Sequence, residues 1–243
     1  MFRPCVLIPV YNHEHAIGSV VARSLKYKVP CILVDDGSSK ACAAVLDTVA
    51  SNYPSDIVLL RHEKNQGKGA ACLTGVQYAA QAKYSHVLQI DADGQHATED
   101  IPKFLEAAFA NPLAVITGYP IYDENIPALR FYGRYFTHVW VWINTLSLEI
   151  KDSMCGFRVY PVSHVIQLAQ RQSVERRMAF DTDVIVRLFW EGVDIINLPT
   201  RVNYPVDGIS HFRVWNDNLQ ISRMHAKLFF GMLARMPKLL RRR

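Results

Sequence analysis

The chain has 243 residues, of which half are apolar, and its 27 Lys and Arg against 22 Asp and Glu give the composition of an ordinary globular protein. A disordered protein is therefore excluded, and the lack of a Pro/Gly/Ser-rich linker favours one domain. Residues 211–243 contain eight Lys or Arg and one Asp, so the body is near neutral and the basic tail indicates a membrane surface rather than nucleic acid as partner.

The N-terminus passes directly into an apolar, strand-like run without the basic and apolar regions of a signal peptide. The five cysteines are odd in number and show no C-x-x-C spacing, which argues against a disulfide framework or a zinc site. The most apolar long window, 135–150, contains His138, Asn144 and Glu149 and is too short to span a bilayer. We therefore expect a cytoplasmic protein that does not cross the membrane.

The chain alternates strand-like and helix-like segments. Short apolar runs predict buried strands at 5–10, 31–35, 57–61, 86–91 and 114–118. Between them the pattern predicts helices at 15–27, 40–52, 67–83 and 99–110. Further along it predicts a helix at 128–148, a strand at 156–160, a helix at 181–191 and a strand at 194–198. This alternation is typical of an α/β fold with a mainly parallel central sheet flanked by helices.

Two acidic motifs follow predicted strands, at the sheet edge where ligands of parallel α/β proteins bind. Asp91 and Asp93 stand one residue apart after the run 87–90, and carboxylates in this position suit Mg²⁺ or Mn²⁺. Asp35-Asp36-Gly37-Ser38 ends the second strand in the same way. Each motif alone is equally well explained as a turn, but two clusters of like charge favour a bound cation or ligand.

A glycine-rich segment, Asn65-Gln66-Gly67-Lys68-Gly69, follows the third strand. Gly67 and Gly69 allow backbone N–H groups to approach an anion at a helix start, and Lys68 adds positive charge. The spacing matches neither the P-loop nor the dinucleotide-binding fingerprint, and ordinary helix-start geometry explains the glycines as well.

Taken together, the strand-end motifs resemble those of the inverting family 2 glycosyltransferases, which have the GT-A fold. The resemblance rests on Pro9-Val10-Tyr11-Asn12, Asp35-Asp36-Gly37-Ser38, Asn65-Gln66-Gly67-Lys68-Gly69 and Asp91-Ala92-Asp93-Gly94-Gln95-His96. It continues in Asp152-Ser153-Met154-Cys155-Gly156-Phe157-Arg158, where Cys155 replaces the serine of the family pattern S-G-F-R. Phe180-Asp181-Thr182-Asp183 is similar to the F-D-x-E segment of the dolichol-phosphate mannose synthase-like branch, with Asp183 in place of Glu.

The resemblance implies roles for individual residues. Pro9, Tyr11 and Asp36 would line the nucleoside pocket. The nucleotide sugar as a whole would contact residues of the same motifs: Pro9, Tyr11, Asn12, Asp36, Lys68, Asp91 and Ala92. The metal ion, Mg²⁺ or Mn²⁺, would be held on the donor diphosphate by Asp91, Asp93 and Gln95, which makes Asp93 essential for catalysis. The family often has Glu after Tyr-Asn, where this chain has His13, so an acidic contact at that place is left open.

The acceptor decides whether the transfer needs a base. A hydroxyl acceptor loses a proton in the transition state, so a nearby carboxylate is expected, and Asp181 or Asp183 is the candidate. The two residues are equally well explained as the N-cap and first turn of a helix. A lipid phosphate acceptor is already an anion and needs positive charge instead. Arg130 and Arg134, four residues apart on one helix face, fit that role as well as the role of solvated surface charges.

The last part of the chain carries two further features. The segment 208–213 resembles the mobile loop of the family, with His211 and Arg213 near the phosphates, although an ordinary exposed loop explains it too. Aromatic residues in 131–150 and the apolar, basic residues of 224–243 are typical of a membrane interface. Packing of both on the domain explains the same pattern, and Pro237 is expected to kink or end the tail helix. We predict a GT-A domain at 1–210 and a basic amphipathic, membrane-associated segment at 211–243.

The predicted function is the transfer of a sugar, with inversion, from a UDP- or GDP-sugar to a lipid-linked or amphiphilic acceptor, a polyprenyl phosphate or a lipid hydroxyl. The protein would lie peripherally on the cytoplasmic face of a membrane. Two alternatives stay open. One is a non-catalytic module that binds sugar nucleotide or membrane, and the other is a nucleotidyltransferase, which makes rather than consumes nucleotide sugars.

Overall fold

A computed structural model describes the backbone of residues 1–121, 128–202 and 214–242, and their side chains except those of 128–134 and 214–216. Within these ranges seven strands form one sheet: β1 (Pro4–Val10), β2 (Cys31–Asp35), β3 (Ile57–Arg61), β4 (His86–Gln89), β5 (Val115–Ile121), β6 (Arg158–Pro161) and β7 (Ile195–Arg201). The α-helices are α1 (Ile17–Leu25), α2 (Lys40–Asn52), α3 (Lys68–Gln81), α4 (Ile101–Ala110), α5 (Ala128–Thr145), α6 (Val162–Arg171), α7 (Phe180–Trp190) and α8 (Val214–Leu240).

The first half of the sheet is parallel. β1 pairs with β2 and β4, and β2 pairs with β3, all in the parallel sense. The short strand β6 then pairs antiparallel with both β4 and β5, and β5 pairs in parallel with β7. The order is β3-β2-β1-β4-β6-β5-β7, which confirms the mainly parallel α/β sheet expected from the sequence. The carboxyl ends of β1, β2 and β4 therefore meet at one edge.

The core consists of two apolar layers, one on each face of the sheet. Alternate residues of β1 point to opposite faces, Cys5 and Leu7 to one layer and Val6 and Ile8 to the other. Buried residues of α3, α5, α6, α7 and α8 complete the first layer, and buried residues of α1, α2 and α4 complete the second. Burial on both faces explains why these strands are continuously apolar in sequence.

The structure departs from the predicted elements mainly after residue 118. The strand predicted at 156–160 begins only at Arg158, and α6 follows it directly, where no helix is predicted. α6 is short and half of its residues are polar, but its apolar residues recur at helical spacing, with Val162, Val165 and Leu168 buried. α7 begins at Phe180 with Ala179 as the N-cap residue, so Asp181 lies in the first turn and is not the cap.

The tail forms α8, and one face of this helix docks on the body of the protein. Met224, Leu228 and Met232 are buried against α5 and α7. Lys238 donates a hydrogen bond to the carbonyl of Trp190 at the end of α7. The helix continues through Pro237 to Leu240, so this proline does not end it, and a kink at Pro237 stays a prediction. In the part of the chain that is described, no helix is both long enough and apolar enough to cross a bilayer.

Candidate active site

The predicted motifs meet at the carboxyl edge of the parallel strands. Val10 of β1 lies opposite Asp35 of β2, and Ile90 donates its backbone N–H to the carbonyl of Leu7 at 3.0 Å. The turns that follow β1, β2 and β4 therefore open at one place. α3 begins at the same edge with Gly67 as its N-cap residue. Two backbone N–H groups of this helix start are engaged within the protein, since Gly67 donates to Asp36 and Ala70 donates to the carbonyl of Arg176.

Lys68 joins two carboxylates at the centre of this edge. Its Nζ lies 2.6 Å from Oδ1 of Asp91, which follows β4, and 2.7 Å from Oδ2 of Asp181, in the first turn of α7. The three side chains come from elements distant in sequence and form one mostly buried ion cluster. Three residues that the sequence suggests for separate reasons are thus in direct contact.

The cluster keeps Lys68 and Asp91 in their charged forms. Burial alone would lower the pKa of Lys68, but the carboxylates of Asp181 and Asp91 outweigh it and raise that pKa well above its usual value. Burial alone would likewise raise the pKa of Asp91, but the Lys68 ammonium and the hydrogen bond from His96 outweigh it and lower that pKa. The edge of the sheet therefore carries a fixed cation between two acidic groups.

Two buried residues that the sequence analysis did not select position Asp181. Gln89 of β4 donates from Nε2 to Oδ1 of Asp181 at 2.8 Å, and Arg158 of β6 donates from Nη1 to the Asp181 carbonyl at 2.5 Å. Arg158 is fully buried, and its Nε and Nη2 have no hydrogen-bond partner among the described residues. Its Nη1 also donates to the hydroxyl of Tyr160 at 3.2 Å, and the Asp181 carboxylate favours its charge through space. The sequence signal for Gln89 is a polar residue inside the apolar run 87–90.

Gly156 allows the chain before β6 to approach Asp91 closely. A Cβ atom at this position would lie 2.2 Å from Oδ2 of Asp91 and 2.5 Å from Oδ1, distances that no real side chain tolerates. The glycine of the segment Cys155-Gly156-Phe157-Arg158 is therefore required by contact with the ion cluster. Cys155, which replaces the serine of the family pattern, is buried beside it.

Asp36 is engaged in holding the loop that precedes α3. It accepts hydrogen bonds from the backbone N–H groups of Gln66 and Gly67 at 2.9 and 2.8 Å. Its Oδ1 also lies 2.7 Å from Nδ1 of His62, and the carboxylate is buried. These contacts give Asp36 a structural role in holding the loop before α3, and a contact of Asp36 with a nucleoside stays a prediction.

The other residues predicted for the nucleoside pocket lie beside this turn. Asp36 donates its backbone N–H to the carbonyl of Val10 at 2.8 Å, which brings the ends of β1 and β2 together. Pro9 is buried in β1, and Tyr11 is half-buried just beyond it. Asn12 has a left-handed backbone with φ 54°, and its Oδ1 accepts from the N–H of Ser39 at 2.8 Å. Pro9, Tyr11, Asn12 and Asp36 thus lie next to one another at the edge.

The residues predicted to hold a metal ion follow β4. Asp93 Oδ1 accepts the backbone N–H of Gln95 at 3.0 Å, and Asp91, Asp93 and Gln95 are all half-buried, whereas Ala92 between the two carboxylates is buried. Over the described ranges no three His, Cys, Asp or Glu side chains converge as around a metal ion. The donor set nevertheless fits Mg²⁺ or Mn²⁺, because these ions take hard oxygen ligands and complete their shells with water and diphosphate oxygens.

Asp183 lies apart from the ion cluster. Its Oδ1 is 2.6 Å from Nε of Arg187, and its Oδ2 accepts the backbone N–H of Glu175 at 2.9 Å. Burial raises the pKa of this fully buried carboxyl, against the opposing effect of Arg187. The structure thus separates the two candidate bases and leaves only Asp181 in contact with Lys68.

The four residues predicted to bind the acceptor phosphate are outside the described side chains. Arg130 and Arg134 belong to α5, four residues apart, and only the backbone of this part of the helix is described. His211 and Arg213 lie in the range 203–213, which is not described at all. Their roles stay predictions.

Comparison with known proteins identifies the family. The family model described as "Glycosyl transferase family 2" matches residues 5–176. An uncharacterized protein of Methanocaldococcus jannaschii is 26% identical over 232 residues, which cover 92% of this chain and 98% of the relative. The polyprenol monophosphomannose synthase of Mycolicibacterium smegmatis is 27% identical over 222 residues, covering 86% of this chain and 80% of that protein.

Solved structures show the same fold. The glucosyl-3-phosphoglycerate synthase of Mycobacterium tuberculosis, in complex with Mn²⁺, UDP-glucose and glycerol 3-phosphate, superposes with a TM-score of 0.62 at 13% identity. The match covers 95% of this chain and 80% of that one, and at this identity it supports the fold alone. Together with the strand-end motifs and their convergence on one edge, the family match establishes that this chain belongs to glycosyl transferase family 2 and has a GT-A-like fold.

Proposed function

We propose that this protein transfers a sugar, with inversion, from a UDP- or GDP-sugar to a polyprenyl phosphate. The choice of acceptor rests on the contacts that the two candidate bases, Asp181 and Asp183, make within the protein. Asp181 accepts from Gln89 and from Lys68, one on each oxygen, and Asp183 is held by Arg187 and by the N–H of Glu175. Both carboxylates are thus paired with cations, Asp181 with Lys68 and Asp183 with Arg187, which favours an acceptor that needs no base.

A phosphate acceptor removes the need for a base. Its oxygen is already an anion and attacks the anomeric carbon directly, so the protein has only to hold two anions close together. The basic residues Arg130, Arg134, His211 and Arg213 are the candidates for the acceptor phosphate. The name of the Mycolicibacterium relative, a polyprenol monophosphomannose synthase, supports the same acceptor class.

In this proposal Lys68, the first residue of α3, binds the donor diphosphate through its ammonium group. The dipole of α3 also favours an anion near this end of the helix. Asp181 orients Lys68 and is in turn oriented by Gln89 and Arg158. Asp91, Asp93 and Gln95 would hold Mg²⁺ or Mn²⁺, which supplies positive charge to the leaving diphosphate when bound.

The acceptor class implies a place at a membrane. A polyprenyl chain is held in the bilayer, so the transferase has to act at the membrane surface. Peripheral association on the cytoplasmic face, with residues 211–243 as the contacting segment, is therefore part of the proposal.

The test measures nucleoside diphosphate release from a panel of UDP- and GDP-sugars with Mg²⁺ or Mn²⁺. Each donor is assayed alone, with farnesyl phosphate and with farnesol. The proposal expects one donor to be consumed in multiple turnovers, stimulated by the phosphate and not by the alcohol. The variant Lys68→Met should lose this activity. Lys26→Met is the control, because it removes the same charge from an exposed lysine and should retain the activity.

Each other outcome selects a different function. Stimulation by farnesol would show that a hydroxyl is the acceptor and return Asp181 to the role of base. Nucleotide binding without release from any donor would show a non-catalytic module. Pyrophosphate release from a nucleoside triphosphate and a sugar phosphate would show a nucleotidyltransferase.

A further inference from the structure

α8 has a second apolar face, opposite the one that docks on the body of the protein. Met224, Leu228 and Met232 are buried, whereas Leu219, Phe230, Leu233 and Leu240 are exposed. The exposed residues are separated by whole turns of the helix and form one stripe. A helix whose only task is to complete the core would carry polar residues there.

The stripe continues onto α5 through a row of aromatic rings. Phe136 and Trp140 of α5 have ring centroids 6.5 Å apart, Trp140 lies 6.4 Å from Phe229 of α8, and Phe229 lies 5.9 Å from Phe230. The two ends of the row are open to solvent, with Phe136 67% and Phe230 70% exposed. We call this row, together with the stripe on α8 and Ile143 of α5, the α5–α8 surface.

The segments that carry the α5–α8 surface are basic in sequence. Residues 128–148 and 218–243 contain nine Lys or Arg and no Asp or Glu. Several tail cations are used inside the protein, since Lys227 pairs with Glu175, and Arg242 donates to Val193 and pairs with Asp194. Arg223 is exposed and lies seven residues, about two helical turns, before Phe230 on α8, and Arg241 is exposed in the turn that follows the helix.

We propose that the α5–α8 surface docks on an anionic lipid bilayer, with its aromatic and aliphatic side chains in the headgroup region. Aromatic side chains favour the headgroup region, because their rings are apolar and tolerate contact with water. The exposed cations Arg223 and Arg241 suit an anionic leaflet. Docking by α8 and α5 together explains why the tail both packs on the domain and keeps an apolar outer face. This inference rests on the proposed function, which requires action at a membrane.

The experiment measures co-sedimentation of the full chain with vesicles of phosphatidylglycerol and phosphatidylcholine in equal parts, without donor or acceptor. The double variant Phe136→Ser with Phe230→Ser should bind about tenfold to a hundredfold more weakly, because two inserted rings are lost. Both side chains are largely exposed, so the fold should be retained. Phe109→Ser is the matched control, since Phe109 is 67% exposed on α4, outside the α5–α8 surface, and its loss should leave binding unchanged.

A second pair of variants separates charge from apolar insertion. Arg223→Gln with Arg241→Gln should weaken binding several-fold on the anionic vesicles and leave residual binding to pure phosphatidylcholine unchanged. Transfer to a short, water-soluble prenyl phosphate should be unaffected by the Phe136 and Phe230 substitutions. If wild-type transfer fails while vesicle binding holds, the proposed acceptor is wrong and the docking surface stands.

Three results would overturn the docking proposal. The first is a wild-type chain that does not bind the anionic vesicles. The second is equal loss of binding in the Phe109→Ser control. The third is a dimer in light scattering that the Phe136 and Phe230 substitutions convert to a monomer, because a second copy would then cover the α5–α8 surface.

Discussion

Two neighbouring strands of the sheet end in acidic motifs of similar composition, and the structure uses them differently. Asp36, after β2, accepts two backbone N–H groups of the next loop, and Asp35 accepts the N–H of Ser38 at 2.9 Å and pairs with Arg61 at 2.8 Å. Asp91, after β4, is bound by the side chains of Lys68 and His96. A carboxylate held by backbone amides cannot leave without moving the chain, whereas one held by side chains can exchange partners when a ligand arrives.

The comparison assigns folding to the β2 motif and ligand chemistry to the β4 motif. Removing a charge after β2 should therefore lower stability, and removing one after β4 should lower turnover with little effect on stability. This difference can be tested residue by residue.

The largest effect is expected at Asp93. The variant Asp93→Asn keeps an oxygen for the N–H of Gln95 but removes the charge offered to the metal and diphosphate. Turnover should fall by about a thousandfold. The free energy of unfolding should stay within about 0.5 kcal/mol of wild type, because the side chain is half-exposed. Nucleoside diphosphate release and urea denaturation measure the two quantities, and full activity in this variant would remove the metal assignment.

The next effect is expected at Asp36. In Asp36→Asn the amide group would point an N–H at a backbone N–H of Gln66 or Gly67 and remove the charge beside His62. The free energy of unfolding should fall by about 2–4 kcal/mol. Asp47→Asn is the control, because Asp47 pairs with Arg61 at 3.1 Å on the exposed surface and its loss should cost less than about 1 kcal/mol. Equal denaturation midpoints in the two variants would contradict a structural role for the β2 motif.

A smaller effect is expected from Gly156→Ala. The new methyl group would displace the Asp91 carboxylate and so disturb the contact with Lys68. Turnover should fall by about tenfold to a hundredfold, since a displacement of a fraction of an ångström at a reacting centre is costly. Gly18→Ala in α1 is the control, because a Cβ there meets only Val49 at 4.0 Å. If both alanine variants turn over donor equally well, the close approach at Asp91 has no part in catalysis.

Much of the fold could be predicted from the sequence because buried parallel strands are apolar on both faces. The first five strands are found within a few residues of their predicted positions. α6 was missed because the helix is short and half of its residues are polar, so its apolar spacing does not stand out. The passage of α8 through Pro237 was missed because the contacts that hold its last turn, such as Leu239 in the core, come from tertiary packing.

The sequence predicted several residues of the candidate site but not the contacts between them. Strand-end position pointed to Lys68 and Asp91, and the likeness of 180–183 to the F-D-x-E segment pointed to Asp181. No sequence pattern states that one ammonium joins the two carboxylates. Gln89 and Arg158 act through an antiparallel pairing of β4 with β6 that the sequence does not reveal. Asp181 and Asp183 lie in one helical turn, so the sequence does not show that their side chains contact different residues.

The smallest effect is expected where α8 packs on α5, and it concerns the dependence of stability on pH. His225 is buried there beside Trp140, and its Nδ1 lies 3.2 Å from Nδ2 of Asn144. Burial lowers the pKa of His225 to about 4 from its ordinary value. Below about pH 6.5 the unfolded chain takes up a proton that the folded chain refuses, so stability is lost as the pH falls toward 4.

Between pH 7.5 and pH 5 this residue should account for a loss of about 2 kcal/mol in the free energy of unfolding. The variant His225→Gln should lose less stability over that interval, whereas the exposed-site control His15→Gln should follow wild type. Urea denaturation at the two pH values measures the difference. His225 lies on the docked face of α8. If His225→Gln abolishes the loss of stability between pH 7.5 and pH 5, this helix unfolds together with the sheet, as a structural part of the domain. If the variant loses as much stability as wild type, α8 separates from α5 before global unfolding and His225 is protonated in that opened state. α8 would then be a part of the molecule that opens locally.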